Sequence, residues 1–140
     1  MRHLLPLFAV AALAGCGRAP VPSGSTPLSP GEAGRRIEWQ GQRACADCDG
    51  IATRLVLRED RRGRDYALTE TYAATGGGAR FAEHGRWQRD SVLLRLQGDR
   101  GSLRWYALLP DGSLQPRDAH GGPLPGGDDD RLVPVAGTGP

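Results

Sequence analysis

Two cysteines lie at Cys-x-x-Cys spacing in the segment "GQRACADCDGI", which covers residues 41–51. Three kinds of chemistry use this spacing: a structural disulfide, a pair of thiolates that binds a metal ion, and a redox-active thiol pair. Cys45 and Cys48 are accompanied by Asp47, Asp49 and Gly50, residue types that favour turns. The pair is therefore expected in a loop, and its chemistry depends on the compartment in which the chain folds.

The N-terminus indicates export from the cytoplasm. The segment "MRHLLPLFAVAALAGC" has a basic start at Arg2, an apolar run and small residues at its end, which predicts a signal peptide over residues 1–15. The run is shorter than the roughly 20 residues that a membrane-spanning helix needs. Its last four residues, "LAGC", resemble the lipobox of bacterial lipoproteins, which implies that Cys16 is lipidated and becomes the mature N-terminus. An ordinary cleaved signal that leaves Cys16 free is the alternative.

An oxidising periplasm favours a disulfide between Cys45 and Cys48 that holds the loop in place. Closing so short a loop contributes roughly 2 kcal/mol in the chain-entropy account. Catalytic thiol exchange is disfavoured, because the motif precedes a predicted strand rather than a helix N-terminus. The remaining alternative is a metal site in which both sulfurs bind copper, with His84 as a weak candidate for a further ligand. We predict no cofactor, and copper stays the alternative.

Composition excludes some classes of function. The net charge of the 140-residue chain is only +2, so a polybasic nucleic-acid binder is not expected. His84, Glu83 and Asp90 do not form a recognisable catalytic set, and the glycines at 76–78 lack the helix and lysine of a phosphate-binding loop. The sequence therefore predicts a protein that is not an enzyme.

The chain divides into four predicted segments, of which the first is the signal peptide of residues 1–15. Residues 16–35 are rich in Pro, Gly and Ser and predict a lipidated flexible tether. Residues 36–135 contain the apolar periodicity of one folded domain, and residues 136–140 are expected to be a disordered tail.

The domain shows the period-two alternation of half-buried strands, with turn signals between the strands. The positions predicted to face the core are Ile51, Thr53, Leu55 and Leu57; Tyr66, Leu68 and Tyr72; Val92, Leu94 and Leu96; and Leu103, Trp105, Ala107 and Leu109. The arginines predicted to lie on the solvated face are Arg54, Arg58, Arg95 and Arg104. The aromatic residues expected to fill the interior are Trp39, Tyr66, Phe81, Trp87 and Trp105. The pattern predicts an all-β fold of six to eight short antiparallel strands, a small barrel or a sandwich, and a barrel also removes exposed edge strands.

A wider set of motifs resembles the N-terminal domain of the NlpE family of envelope lipoproteins. The resemblance covers about residues 37 to 133 and rests on "CADCDGI", "LTETY", "FAEHGRW" and a closing "DGSLQPRD". The family motif falls on Cys45, Asp47, Cys48, Gly50, Ile51, Tyr72, Phe81, Gly85, Trp87, Leu114 and Asp118. The family fold is a lipocalin-like antiparallel barrel of about six strands, which agrees with the alternation.

The resemblance also implies a function. It suggests an envelope lipoprotein facing the periplasm, which acts as a non-enzymatic sensor or interaction module in envelope stress signalling and copper resistance. Gly17 and Arg18 follow the cysteine in place of the aspartate that marks inner-membrane retention in enteric lipoproteins, which favours the outer membrane. The implied partners are the membrane, through the N-terminal lipid, and a Cpx-type sensor histidine kinase, with the loop at Asp47, Asp49, Gly50 and Ile51 as a candidate docking surface. The alternative is a carrier of copper or of a small apolar ligand. The best-known member has a second domain with its own cysteine pair, and functions of that pair are not expected here.

Overall fold

The computed structural model describes residues 34–125, 127 and 129–136. The predicted signal peptide, Cys16 and nearly all of the predicted tether lie outside the described residues. Eight strands follow one another along the chain: β1 (Arg36–Arg43), β2 (Gly50–Asp60), β3 (Gly63–Ala73), β4 (Ala79–Asp90), β5 (Leu93–Gly98), β6 (Leu103–Leu108), β7 (Leu114–Arg117) and β8 (Val133–Pro134). Within the described residues, no helix is long and apolar enough to cross a bilayer.

The strands form one antiparallel sheet in the order β7-β6-β5-β4-β3-β2-β1-β8. Each strand from β1 to β7 pairs with its neighbour in the sequence, and β8 pairs with β1. An isolated bridge between Leu114 and Leu132 joins β7 to the residue before β8, so the sheet is nearly closed into a barrel. The prediction of an all-β antiparallel fold is confirmed. The strands number eight, where the resemblance implies about six, and β7 and β8 are the shortest of them.

Apolar and polar residues alternate along the long central strands, and the apolar residues form the core as predicted. Leu55 and Leu57 on β2 face Leu68 and Tyr66 on β3, and all four are at most 1% exposed. Burying large apolar side chains is the main favourable term in folding, about 25 cal/mol for each Å² removed from water. Trp39, Trp87, Leu94, Leu96 and Leu114 complete the dry part of the barrel.

The two ends of the barrel differ. The closed end contains the tight turn between β2 and β3, where Asp60 Oδ1 accepts hydrogen bonds from the backbone amides of Arg62 and Gly63. There Arg64 stacks on Trp87 at 4.8 Å and pairs with Glu59 at 2.8 Å. The open end contains the loop between β1 and β2 and the loop between β3 and β4.

On β6, the positions predicted to face the core were wrong by one residue along the strand. Pairing with β5 places Arg104 opposite Leu96 and Tyr106 opposite Leu94, so Arg104 and Tyr106 face the interior. Leu103 is therefore 54% exposed. Trp105 lies on the outer face under Arg95, whose guanidinium carbon is 5.7 Å from the ring centroid. Register with the neighbouring strand decided the phase, since both faces of β6 carry apolar residues.

Two other predicted core residues are exposed. Val92 is 55% exposed because it belongs to the turn between β4 and β5, where Ser91 adopts a left-handed conformation with φ 53°. Phe81 has the inward phase on β4 but is 58% exposed, because it lies where the barrel opens. It packs edge-to-face against Tyr72, with the ring centroids 5.3 Å apart.

Candidate functional site

The disulfide loop forms part of the rim of the open end. The sulfurs of Cys45 and Cys48 are bonded, and their Cα atoms are 5.2 Å apart. The backbone amide of Asp49 donates a 2.8 Å hydrogen bond to the carbonyl of Ala73 at the end of β3. Gly50 begins β2 with φ 143°, a backbone conformation that side-chain-bearing residues rarely adopt. The disulfide therefore constrains the loop internally, and backbone pairing fixes the loop to the sheet.

The side chains of the other predicted loop residues point in different directions. Asp47 and Asp49 are exposed to solvent. Ile51 is 6% exposed and faces the interior, opposite Tyr72 on β3. The loop therefore presents two carboxylates outward, while its apolar neighbour anchors it to the barrel.

A charged network lies inside the open end, where the sequence analysis had placed no site. Glu70, 7% exposed, accepts a 2.9 Å hydrogen bond from Arg43 on β1. Arg104 on β6 donates to the same carboxylate from two nitrogens, at 3.4 and 3.3 Å. The prediction that Arg104 lies on the solvated face was wrong, because the register of β6 turns it inward. These ion pairs connect β1, β3 and β6 across the barrel.

Glu83 and Tyr66 extend this network towards the core. Tyr66 Oη donates a 2.6 Å hydrogen bond to Glu83 Oε1, and Arg104 Nε is 3.4 Å from the same oxygen. Burial by itself would raise the pKa of Glu83, but the hydrogen bond from Tyr66, the nearby hydroxyl of Ser102 and the charge of Arg104 lower it below its usual value. Burial and the bond to Glu83 raise the pKa of Tyr66 above its ordinary value. Tyr66 therefore stays a neutral donor and Glu83 an ionised acceptor at neutral pH.

Two cavities open around this network. One has a volume of about 220 Å³ and is lined by Arg43, Glu70, Arg104, Tyr106 and Leu132, among others. The second, of about 500 Å³, is lined by Glu70, Glu83 and Arg104 and by the aromatic pair Tyr72 and Phe81, among others. Glu70 and Arg104 line both cavities, so any molecule entering the open end would meet charged groups as well as aromatic rings.

The candidate metal ligands are not brought together. Gly50 lies opposite Ala73 on β3, whereas His84 lies opposite Ala67. Roughly 20 Å of strand therefore separates the position of His84 along the sheet from the disulfide end. Among residues 34–125, 127 and 129–136, no group of three or more His, Cys, Asp or Glu side chains could hold a metal ion.

The remaining motif residues have structural roles. A Cβ atom on Gly85 would collide with the backbone of Gln97 and Gly98, so only glycine allows β4 and β5 to approach this closely. Trp87 donates a 2.9 Å hydrogen bond to the carbonyl of Arg58. Leu114 exchanges backbone hydrogen bonds of 2.8 and 2.9 Å with Leu132. Asp118 accepts hydrogen bonds from the amides of His120 and Gly122 and so closes the turn after β7.

The barrel with its rim disulfide matches a known family. Residues 39–127 match the family model described as the NlpE N-terminal domain, which spans most of the barrel from β1 through β7. The chain belongs to the NlpE family. The open-end cysteine loop and the strand pairing are therefore features of an NlpE-type domain.

This NlpE-type chain is similar to NlpE of Escherichia coli in both sequence and structure. The lipoprotein NlpE of Escherichia coli strain K12 is 33% identical over 87 residues, which cover 61% of this chain and 35% of that protein. The crystal structure of the Cpx pathway activator NlpE from Escherichia coli matches with a TM-score of 0.56 at 32% identity, covering 64% of this chain and 45% of that one. The chain thus spans less than half the length of these relatives, and it resembles an envelope lipoprotein.

Sequence reasoning missed the interior charges of this NlpE-type domain, although one signal was present. Leu68, Glu70 and Tyr72 are every second residue of one strand, so they share a face. The pattern therefore predicts that Glu70 faces the core, as Leu68 does. A carboxylate at a core-facing position requires a cationic partner. The partners, Arg43 and Arg104, lie on distant strands and could not be assigned without the register.

Proposed function

We propose that this chain is an envelope lipoprotein, anchored through Cys16, that acts as a non-enzymatic interaction module and activates a Cpx-type stress response. The observation that carries the proposal is the family match over residues 39–127, together with the similarity, at 32% identity, to the solved structure of the Cpx pathway activator NlpE. The implied partner is a sensor histidine kinase, and the implied site of the anchor is the periplasmic face of the outer membrane. Copper resistance would then follow from signalling, without a requirement for bound copper.

The rim of the open end is the best candidate for the surface that meets the kinase. The disulfide and the Asp49–Ala73 backbone bond hold the loop in one conformation, which reduces the entropy lost on binding. Asp47 and Asp49 are exposed beside this loop, and Phe81 is an exposed aromatic residue of the same end. Large aromatic side chains are frequent anchors in protein interfaces.

A stress-promoter reporter tests the proposed function. A copy retained at the inner membrane by Gly17→Asp, made at the same level as the wild-type chain, should raise reporter output in cells that contain the kinase. Output should stay at the basal level in cells that lack the kinase. If the retained form leaves the reporter unchanged in both strains, the signalling proposal is wrong.

The two cavities support a carrier as the second candidate. Their charged lining, with Glu70 and Arg104 common to both, favours a ligand that is partly polar over a wholly apolar one. Native mass spectrometry of the mature chain would distinguish the candidates, because it reports bound copper, bound small molecules and the oxidation state of the cysteines. Stoichiometric copper or a stoichiometric organic ligand, together with an unchanged reporter, would favour the carrier.

A further inference from the structure

The closed end of the barrel carries a concentration of positive charge. Six arginines lie on the turn between β2 and β3 and on or beside the strands next to it, against three acidic residues, Glu59, Asp60 and Asp65, so this set of nine residues has a formal charge of +3. The six, named here the closed-end arginine cluster, are Arg35, Arg58, Arg61, Arg62, Arg64 and Arg86. The whole chain has a net charge of only +2, so its positive charge is unevenly distributed.

These three acidic residues do not neutralise the cluster. Glu59 pairs with Arg64 at 2.8 Å, and Asp65 lies 3.7 Å from Arg58. Asp60 accepts hydrogen bonds from backbone amides of the turn. Arg61, Arg62 and Arg86 are exposed, and the guanidinium of Arg86 lies against Gly63 in the same turn. These three side chains give the turn an uncompensated positive surface.

The chain also enters the barrel at this end. The amide of Gly34 donates a 2.7 Å hydrogen bond to the carbonyl of Glu59, and the carbonyl of Arg35 accepts a 3.1 Å bond from the amide of Glu59. Cys16 precedes Gly34 by 18 residues, which span at most about 60 Å. A lipid on Cys16 would therefore keep the closed end within this distance of the membrane.

The disulfide loop at the opposite end has the opposite charge. The loop of residues 44–49 contains Asp47 and Asp49 and no basic residue, and both aspartates are exposed. An anionic surface would attract the closed-end arginine cluster and repel this loop. Charge therefore distinguishes the turn between β2 and β3 from the disulfide loop in front of a membrane.

We propose that the closed-end arginine cluster docks on anionic phospholipid headgroups of the membrane that holds the protein, so that the disulfide rim points away from the bilayer. Basic residues near an anionic leaflet each add a modest attraction, which is screened beyond a Debye length. The short connection to Cys16 makes this weak contact effectively intramolecular and so raises its occupancy. This orientation rests on lipidation of Cys16, which is part of the proposed function, whereas the affinity of the surface for headgroups does not.

Vesicle co-sedimentation tests the surface without the lipid anchor. The probe is the chain with Cys16→Ala behind a cleavable secretory signal, mixed with phosphatidylcholine vesicles that contain about one-third phosphatidylglycerol. Binding is expected at about 0.01 M salt, where the Debye length is about 30 Å, and should be lost at about 1 M salt, where it is about 3 Å. Vesicles of pure phosphatidylcholine should not bind the chain.

A charge-matched pair of variants locates the surface. Arg61→Glu with Arg62→Glu should weaken binding to the anionic vesicles at least tenfold. Arg80→Glu with Arg100→Glu makes the same change in net charge at exposed positions of the open end and should change binding less than twofold. Arg61→Gln with Arg62→Gln, a milder change, should fall between the charge-reversal variant and the wild type. No binding to anionic vesicles at low salt, or equal losses in the two reversal variants, would overturn the docking proposal and leave the reporter experiment unaffected.

Discussion

The Tyr66 hydroxyl donates a 2.6 Å hydrogen bond to Glu83 Oε1 between neighbouring strands inside the barrel. Tyr66 is 1% exposed and belongs to the apolar core, whereas Glu83 lines the larger open-end cavity. This bond therefore joins the dry part of the barrel to the charged network at its open end. Removing this hydrogen bond should therefore lower the stability of the barrel more than it changes the conformation of the rim.

We expect Tyr66→Phe to lower the free energy of unfolding by about 1–2 kcal/mol, because Glu83 loses a donor and stays partly buried. Chemical denaturation followed by tryptophan fluorescence measures the change. Tyr72→Phe removes the same atom near the mouth of the barrel and should stay within about 0.5 kcal/mol of the wild type. Equal losses in the two variants would show that the Tyr66–Glu83 bond has no special role.

Acid should destabilise the barrel through Glu38 on β1. Arg54 holds this carboxylate through Nε at 2.6 Å and Nη2 at 2.7 Å, and these bonds lower the pKa of Glu38 despite burial. The unfolded chain then binds more protons than the folded one below about pH 4.5, so stability falls as pH falls through the folded-state pKa. Denaturation midpoints measured between about pH 3 and pH 6 should therefore show a shallower acid slope in Glu38→Gln. Asp47→Asn, an exposed control, should retain the wild-type slope.

Much of the fold was predictable because the central strands have one apolar and one polar face. Leu55 and Leu57 alternate with Arg54 and Arg58, and this alternation is enough to fix the inward face of β2. β6 offers no such contrast: Leu103 and Trp105 alternate with Tyr106 and Leu108, so either phase would bury apolar residues. Its register with β5 decides, and register is a property of the assembled sheet.

Predicting the interior ion pairs also requires the register of the strands. Arg104 and Glu70 are 34 positions apart, and only the closing of the barrel brings them into contact. β8 likewise has two residues and no pattern of its own, and it is held by pairing with Trp39 and Gln40 on β1. By contrast, the cysteine loop was recognisable because both partners lie within four consecutive residues.

The Cys45–Cys48 disulfide should be present in protein isolated from cells. Alkylation before reduction should modify neither cysteine, and alkylation after reduction should modify both. Replacing both by serine should lower the free energy of unfolding by no more than about 2 kcal/mol, because the bond closes a short loop. The buried core does not include this loop, so tryptophan fluorescence should be unchanged. Two reactive thiols in the unreduced protein would instead support a metal site.

Cys16→Ala, behind a cleavable secretory signal, should release a correctly folded barrel into the soluble periplasmic fraction. The strand pairs among the described residues all involve residues from Arg36 onwards, so we expect the barrel to fold without the proposed lipid on Cys16. Cell fractionation measures the release. Fractionation at high salt serves as the control, because it removes any electrostatic contact with headgroups. Sedimentation with membranes at high salt would show that another group anchors the protein.

Signalling by the retained form should not require the disulfide. If the disulfide only limits the motion of the loop, Gly17→Asp combined with Cys45→Ser and Cys48→Ser should still raise the stress reporter, at protein levels matched to Gly17→Asp alone. The reason is that Asp49 remains tied to Ala73 by its backbone and Ile51 remains packed opposite Tyr72. A modest decrease in output, within about threefold, would match the ordering entropy lost with the bond. Output at the basal level, with the triple variant folded and retained, would instead place the cysteine pair itself in the signalling mechanism.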